Sequence, residues 1–398
     1  MKKSYAGNPI ITSLFTADPS AHTWDGEKLY LYASHDIDPA QGCDLMDKYH
    51  VFSTTDMANW LDEGEILRSE NVSWGRAEGG FMWAPDCARR NGKYYFYFPH
   101  PSGTAWNETW KIGVAVSDYP DKGFADAGYI EGLGGFALID PAVFVDGDGQ
   151  AYMYYGGGGK CFGGRLNDDM LSLAAGMETM EGLHDFHEAV WVFKREGVYY
   201  ITYSDNERGA NNMRYATSKS PLGPWEHRGV YLTPVGCETT HGSVVSFKGR
   251  WYQFYHNNVI SKQGELRSVC ADELFFDENG GMLPIAQTQT GTAAVDDSYT
   301  PLKRTGYQAE GSGGYVYGAV DGGCGGRANL RFTYKAQAEL SKIRLFVNGA
   351  DMGLMNCLGE TGQTDQTVPL QAGRVNEIRV TVAGETNITA LEVALLDN

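Results

Sequence analysis

Gly26-Glu-Lys-Leu-Tyr-Leu-Tyr32 is a turn glycine running into a short strand dense in aromatic residues, and the chain repeats this pattern. The further copies are Gly92-Lys-Tyr-Tyr-Phe-Tyr97, Gly149-Gln-Ala-Tyr-Met-Tyr154, Gly197-Val-Tyr-Tyr-Ile-Thr-Tyr203 and Gly249-Arg-Trp-Tyr-Gln-Phe-Tyr255. The glycines lie 66, 57, 48 and 52 residues apart. Each follows Asp, Asn, Glu or Lys, a pairing that closes a β-hairpin. Every copy has a strand before its turn. Several have another after it: Tyr49-His-Val-Phe-Ser53, Lys111-Ile-Gly-Val-Ala-Val116, Met213-Arg-Tyr-Ala-Thr217 and Leu266-Arg-Ser-Val-Cys270. Units of about 50 residues with three or four antiparallel strands are propeller blades. The expected fold is all-β, a five-bladed β-propeller. A β-sandwich with coincidental aromatics is the competing reading, and five copies at similar spacing speak against it.

The composition agrees. The chain has 398 residues, enough for two domains, with 51 Gly, 24 Tyr, 17 Phe and 9 Trp, as tight turns and strands require. Helical periodicity is nearly absent. A net charge of −18 repels phosphate backbones and anionic lipid, so neither nucleic acid nor membrane is an expected partner, whereas a neutral sugar is indifferent to it. Oligomeric state is not readable. The seven cysteines form no CxxC pair, so they read as free buried thiols rather than a disulfide framework or a zinc site. Met1-Lys2-Lys3-Ser4 leads into no apolar segment. The expectation is a cytoplasmic protein, or a secreted one whose signal peptide is absent from this sequence.

Residues 286–304 are polar and linker-like, and every Trp lies before residue 252. Beyond them, Asn329-Leu-Arg-Phe-Thr-Tyr334, Lys342-Ile-Arg-Leu-Phe-Val347, Glu377-Ile-Arg-Val-Thr-Val382 and Ala390-Leu-Glu-Val-Ala-Leu395 alternate polar and apolar. That is a small β-sandwich. The expected boundaries are 1–290 for the propeller, 291–304 for a linker and 305–398 for the sandwich.

Six to nine residues before each turn glycine stands a polar residue: Asp18, Asp86, Asp140, Glu188 and His241. The first strand of a blade lines the central channel, so these five are expected to meet at one mouth. Crowded carboxylates raise one another's pKa, which keeps one protonated while another stays ionised. Glycoside hydrolysis needs that division of labour. The plainer alternative is that these side chains cap strand ends.

At these positions the chain resembles glycoside hydrolase family 43, whose members are five-bladed propellers. The matching motifs are Phe15-Thr-Ala-Asp18-Pro, Phe81-Met-Trp-Ala-Pro-Asp86, Ile139-Asp140-Pro-Ala, Glu188-Ala-Val-Trp191, Ser53-Thr-Thr-Asp-Met-Ala-Asn-Trp60, Thr240-His241-Gly-Ser and Leu266-Arg267-Ser-Val. The resemblance implies that Asp18 is the general base, Glu188 the general acid, and Asp140 the carboxylate that orients Glu188 and raises its pKa. It implies inversion at the anomeric carbon. No cofactor is implied for the chemistry, but a structural calcium in the channel is, with His241 helping to hold it, mostly through water. His241 bonded to Glu188 or backbone is the alternative. Arg267 is implied to bind the innermost sugar. Trp83 is expected to wall the pocket or pack in the core, and Phe15, Trp74, Trp106 and His35 are weaker candidates near the substrate. The tail resembles carbohydrate-binding modules of family 6 or 35 but has no Trp on which to stack a sugar. A structural role, packing against the propeller and shaping the pocket rim, is the stronger expectation.

The resemblance implies an exo-acting hydrolase releasing pentoses from plant polysaccharides or oligosaccharides, with α-L-arabinofuranosidase first, then β-xylosidase, then β-galactofuranosidase or galactanase. A retaining fructan enzyme would carry an Asn-Asp-Pro-Asn-Gly motif where this chain has Thr16-Ala-Asp-Pro-Ser20. A sialidase would carry a Ser-x-Asp-x-Gly-x-x-Trp box. A non-catalytic sugar-binding propeller would have no use for all three carboxylates.

Overall fold

The computed structural model describes residues 4–39, 42–105, 108–135, 137–205, 211–234, 236–237, 239–309, 314–382 and 385–396. Strands dominate, and no helix among the described residues is long and apolar enough to cross a membrane. The strands from Thr16 to Leu274 form five consecutive antiparallel sheets, each running in chain order from its inner to its outer strand. The first holds Thr16–Thr23, Leu29–His35, Lys48–Thr54 and Leu61–Arg68; the second, Asp86–Arg90, Lys93–Pro101, Trp110–Ser117 and Ala125–Tyr129. The third holds Ala142–Val145, Ala151–Tyr155, Phe162–Arg165 and Glu178–Thr179; the fourth, Phe186–Arg195, Val198–Asp205, Met213–Ser218 and Glu226–Leu232; the fifth, Ser243–Phe247, Arg250–Asn257 and Ser268–Leu274. The inner strands touch in order, and that of the fifth sheet touches that of the first, so the sheets close into a ring.

The turn glycines do what their sequence context demands. Gly26, Gly92, Gly149, Gly197 and Gly249 all have φ between 76° and 85°, and Asn91, Glu196 and Lys248 before three of them are also at positive φ, the signature of a type I′ hairpin. The aromatics that follow fill the seams between sheets. Tyr32, Tyr97, Tyr154, Tyr203 and Tyr255 are fully buried. Several reach across a seam with their hydroxyls: Tyr32 donates to Pro120 O at 2.6 Å, Tyr97 to Met170 O at 2.9 Å, Tyr154 to Pro221 O at 2.6 Å and Tyr200 to Gly280 O at 2.7 Å. A buried tyrosine needs such an acceptor, and here the acceptor belongs to the next sheet.

The C-terminal strands form two four-stranded antiparallel sheets. One orders Thr305–Tyr307, Asn387–Leu395, Gly326–Lys335 and Thr361–Leu370; the other orders Tyr315–Val320, Asn376–Val382, Leu340–Val347 and Ala350–Leu358. Leu330, Phe332, Ile343, Leu345, Ile378 and Val380 share one core between them, and that core is continuous with Leu31 and Phe254 of the ring. Direct bonds fix the docking: Thr367 N–H donates to Asp62 Oδ2 at 2.8 Å, and Arg327 Nη1 donates to Glu63 O at 3.1 Å and Asp121 O at 3.0 Å. The segment expected as a linker is stitched down as well. Ala294 N–H donates to Ser4 O at 2.8 Å, Val295 N–H to Asp56 O at 3.0 Å, and Lys248 pairs with Asp296 at 2.6 Å. All seven cysteines are free; Cys43 and Cys324 are exposed rather than buried.

Candidate active site

The site is built by irregularities at the starts of inner strands. Asp18, Asp140 and Ala189 have φ of 51°, 53° and 62°, a left-handed conformation that costs a non-glycine residue energy. The pairing register also shifts between Ala17 and Ser20, and on either side of Glu188. Each bulge turns a side chain that would alternate along the sheet toward the ring's axis. Asp18, Asp140, Glu188, His241 and Arg267 thereby line one cavity of about 200 Å³, with Cys43, Met46, Trp83, Ala84, Ile139 and Thr239 as its remaining walls.

The electrostatics separate the carboxylates. Burial alone would raise the Asp18 pKa, but Arg267, His256 and His241, together with the Ser34 hydroxyl at 2.6 Å, overcome it and hold that carboxyl down at about 2. Asp140 goes the other way. Burial and the charges of Glu188 and Asp18 push its pKa far up, against the Ala189 N–H that it accepts at 2.8 Å. Glu188 is also raised, by burial and then by Asp18, with His187 opposing. Asp18 is thus held in its ionised form beside two carboxyls, Asp140 and Glu188, that both give up their protons less readily than usual.

Arg267 is held from two sides. Asp36 accepts its Nη2 at 2.8 Å, its Nε at 3.0 Å and its backbone N–H at 2.7 Å, while Nη1 donates to Asp18 Oδ1 at 3.1 Å and Thr239 Oγ1 at 3.0 Å. His256 spans the back of the site. Its Nε2–H donates to Thr239 O at 2.9 Å, which leaves Nδ1 to accept the Asp18 N–H at 3.1 Å. Burial and Arg267 lower its pKa to about 4, so this neutral tautomer persists. Burial also lowers the pKa of His241, against the charge of Asp18, and its Nδ1 lies 3.7 Å from Asp140.

Trp83 walls the cavity, steadied by its Nε1–H donating to Cys43 O at 2.7 Å and by Trp110 at 4.6 Å between ring centres. Three other expected substrate contacts lie elsewhere. Phe15 is buried behind the wall, beneath Lys342. His35 packs edge-on against His50 at 4.9 Å. Trp74 stacks on Phe98 and donates to Asp126 at 3.2 Å, within the core between the first two sheets. Trp106 lies outside the described residues. Asp86 also departs from expectation. It faces the cavity of about 420 Å³ at the other end of the inner strands, with His22, Trp24 and Trp191. There it accepts from Ser20 Oγ at 2.7 Å, the Cys87 N–H at 2.7 Å and the Val143 N–H at 2.5 Å, and pairs with His22 at 2.7 Å. It fastens three sheets and is remote from the carboxylate cluster.

His241 offers a nitrogen where calcium prefers oxygens, and among the described residues no group of three or more His, Cys, Asp or Glu side chains is placed to hold a metal ion. Asp36, His256 and Thr239 were not legible as site residues, although Asp36 directly follows His35, the last residue of its strand.

Comparison with known proteins bears on this geometry. The family model described as "Glycosyl hydrolases family 43" matches residues 6–282. Xylosidase/arabinosidase 43A of Humicola insolens is 38% identical over 329 residues, covering 68% of this chain and 97% of its own. The solved structure of CoXyl43, a GH43 β-xylosidase/α-arabinofuranosidase from a compost microbial metagenome in complex with xylotriose, is 33% identical with a TM-score of 0.64, covering 71% of this chain and 98% of its own. An arabinoxylan arabinofuranohydrolase from Bacillus subtilis matches 99% of both chains with a TM-score of 0.64 at 22% identity, a likeness of fold.

Proposed function

This chain belongs to glycosyl hydrolases family 43 and is a glycoside hydrolase, and from that premise we propose that it removes single terminal α-L-arabinofuranosyl and β-D-xylosyl units from plant-derived chains, with inversion. The carrying observation is that one cavity of about 200 Å³ holds carboxylates shifted in opposite directions, with Asp18 at about 2 and the Asp140–Glu188 pair raised. That volume suits one sugar rather than a polymer threaded through a groove. Arabinofuranosidase activity was the first expectation from sequence; relatives named for both activities support adding xylosyl release at the same site.

In this reading Glu188 gives its proton to the glycosidic oxygen as the bond from that oxygen to the anomeric carbon breaks. Water attacks the opposite face of the same carbon and passes its proton to Asp18. The sugar leaves with inverted configuration, and solvent returns the proton from Asp18 to Glu188. Asp140 keeps Glu188 protonated and in place. Arg267, held by Asp36, hydrogen-bonds the hydroxyls of the bound sugar, and Trp83 offers its face to the sugar's C–H groups.

The five closed sheets are read here as the blades of a propeller around the channel, and the C-terminal sheets as a sandwich resembling a carbohydrate-binding module without its sugar site. Among the described residues beyond 305, no aromatic side chain is exposed, and Val375 is the large apolar side chain that is.

Hydrolysis of 4-nitrophenyl α-L-arabinofuranoside and β-D-xyloside, with Glu188→Ala as control and the first-formed anomer read by NMR, tests the proposal. Turnover that survives in the control, or retention of configuration, would refute it.

A further inference from the structure

Beyond the shared apolar core, polar contacts tie the C-terminal sheets to the ring, two of them at separate places. One is the outer edge of the first sheet, where Thr367 and Arg327 bond to Asp62 and Glu63 and Arg327 reaches on to Asp121 in a loop of the second sheet. The other lies directly behind the pocket. Lys342 forms an ion pair with Asp38, whose side chain is 8% exposed, and its ammonium lies 5.6 Å from the centre of the Phe15 ring. Nearby, Asn356 N–H donates to Ser13 O at 2.8 Å.

The ring segments gripped at the second place, 13–16 and 36–38, are the two that flank Arg267. Asp36 N–H donates to Phe15 O at 3.0 Å, and Thr16 N–H donates to Arg267 O at 2.9 Å. The Asp36 carboxylate takes three donors of Arg267, and the far end of that guanidinium reaches Asp18. Met46, a wall of the cavity, has its sulfur 3.6 Å from Arg267 Nη2. A bidentate arginine confers specificity only while its fork is fixed, and a fork is fixed by what holds its other edge.

We propose that Lys342 is a positioning residue for the active site: by anchoring Asp38 and Phe15 it fixes Asp36, and through Asp36 the sugar-binding fork of Arg267. The C-terminal sandwich then tunes the pocket without touching sugar. Relatives that consist of little beyond the catalytic region are active in name, so the sandwich adds to the site rather than creating it. The proposal rests on the pentosidase reading given above, because it assigns Arg267 to the bound sugar.

The test uses the full chain with Lys342→Ala, Lys342→Arg and Asp38→Asn, reading KM and kcat on the two 4-nitrophenyl pentosides and amide hydrogen exchange by mass spectrometry. Lys342→Ala and Asp38→Asn are expected to raise KM by about 3- to 30-fold with a smaller change in kcat, and to speed exchange in peptides spanning 34–39 and 265–268. Lys342→Arg, which keeps the charge, is expected to restore both. An alanine variant with unchanged KM and unchanged exchange in those peptides overturns the proposal, even if its melting temperature falls. So does an arginine variant as impaired as the alanine one. If the wild type hydrolyses neither pentoside, the functional reading fails, and the exchange arm still decides whether Lys342 orders Asp36 and Arg267. If Lys342→Ala does not fold, Asp38→Asn carries the same two readouts.

Discussion

Arg267 Nη1 lies 3.1 Å from Asp18 Oδ1, so the residue proposed to bind the sugar is also the strongest influence holding the proposed general base ionised. Asp18→Asn removes the base and is expected to lower kcat by about 10²–10⁴-fold. Arg267→Lys keeps a charge but loses the fork. It is expected to raise KM and to let the Asp18 pKa climb from about 2 toward the ordinary 3.8. The base works only when ionised, so the acid limb of kcat/KM moves to higher pH. Stability follows the same sign. A depressed carboxylate stabilises the fold above its ordinary pKa, and that contribution is lost as pH falls from about 4 through 2. Profiles of kcat/KM and melting temperature between pH 3 and 6 check both, and an unmoved acid limb would contradict the pairing.

The Asp140–Glu188 pair sets the alkaline limb. In the proposed mechanism activity requires the proton on Glu188, whose pKa burial and then Asp18 raise, and Asp140 is raised beside it. Asp140→Asn leaves Glu188 without its coupled partner, so the proton the two carboxyls share is given up more easily and the limb moves to lower pH. The stability effect has the opposite sense. A buried carboxylate with a raised pKa costs stability as pH rises above its unfolded value. Asn can still accept the Ala189 N–H. The variant is therefore expected to melt a few degrees higher at pH 7 while turning over more slowly. Calorimetry beside a pH–rate profile separates the two, and a lower melting point would contradict the assigned shift.

The fold was legible because its signals are local. A glycine at positive φ, an aromatic run and a period of about 50 residues each follow from a few neighbouring residues. The carboxylate cluster was legible to the extent that distance from the turn measures height along a strand. Asp140 and Glu188 stand nine residues before their glycines and Asp18 and His241 eight, but Asp86 stands six. Two or three residues are about 7–10 Å of strand, enough to carry Asp86 to the other end of the ring. His35 ends its strand and Asp36 is the next residue, so one position separates the ring packed on His50 from the carboxylate that holds Arg267. The hold of Asp36 on Arg267 spans 231 residues, and no local pattern encodes such a pairing.

Trp83 and Trp74 separate binding from packing. Trp83→Ala removes the aromatic wall of the cavity and is expected to raise KM by roughly 10-fold, in line with a lost stacking contact of about 1 kcal/mol or more. Trp74→Ala opens a hole among Phe98, His100 and Tyr129. Its expected effect is a stability loss of about 3–5 kcal/mol with KM unchanged in the folded fraction. Steady-state kinetics and thermal unfolding of both variants check this, and a KM effect from Trp74 would return it to the substrate.

Asp86 tests the division between the two ends of the inner strands. Its carboxylate is 1% exposed and gathers Ser20 and His22 of the first sheet, the Cys87 N–H of the second and the Val143 N–H of the third. Asp86→Ala leaves those donors buried without an acceptor, so the expected cost is about 3–5 kcal/mol, a fall in melting temperature on the order of 10 °C. The carboxylates proposed as catalytic line the other cavity, so kcat and KM measured well below the melting transition should stay within about threefold of wild type. Asp86→Asn keeps one acceptor and should fall between the two in stability. If instead Asp86→Ala abolished turnover while leaving the melting temperature intact, Asp86 would belong with Asp18, Asp140 and Glu188 after all.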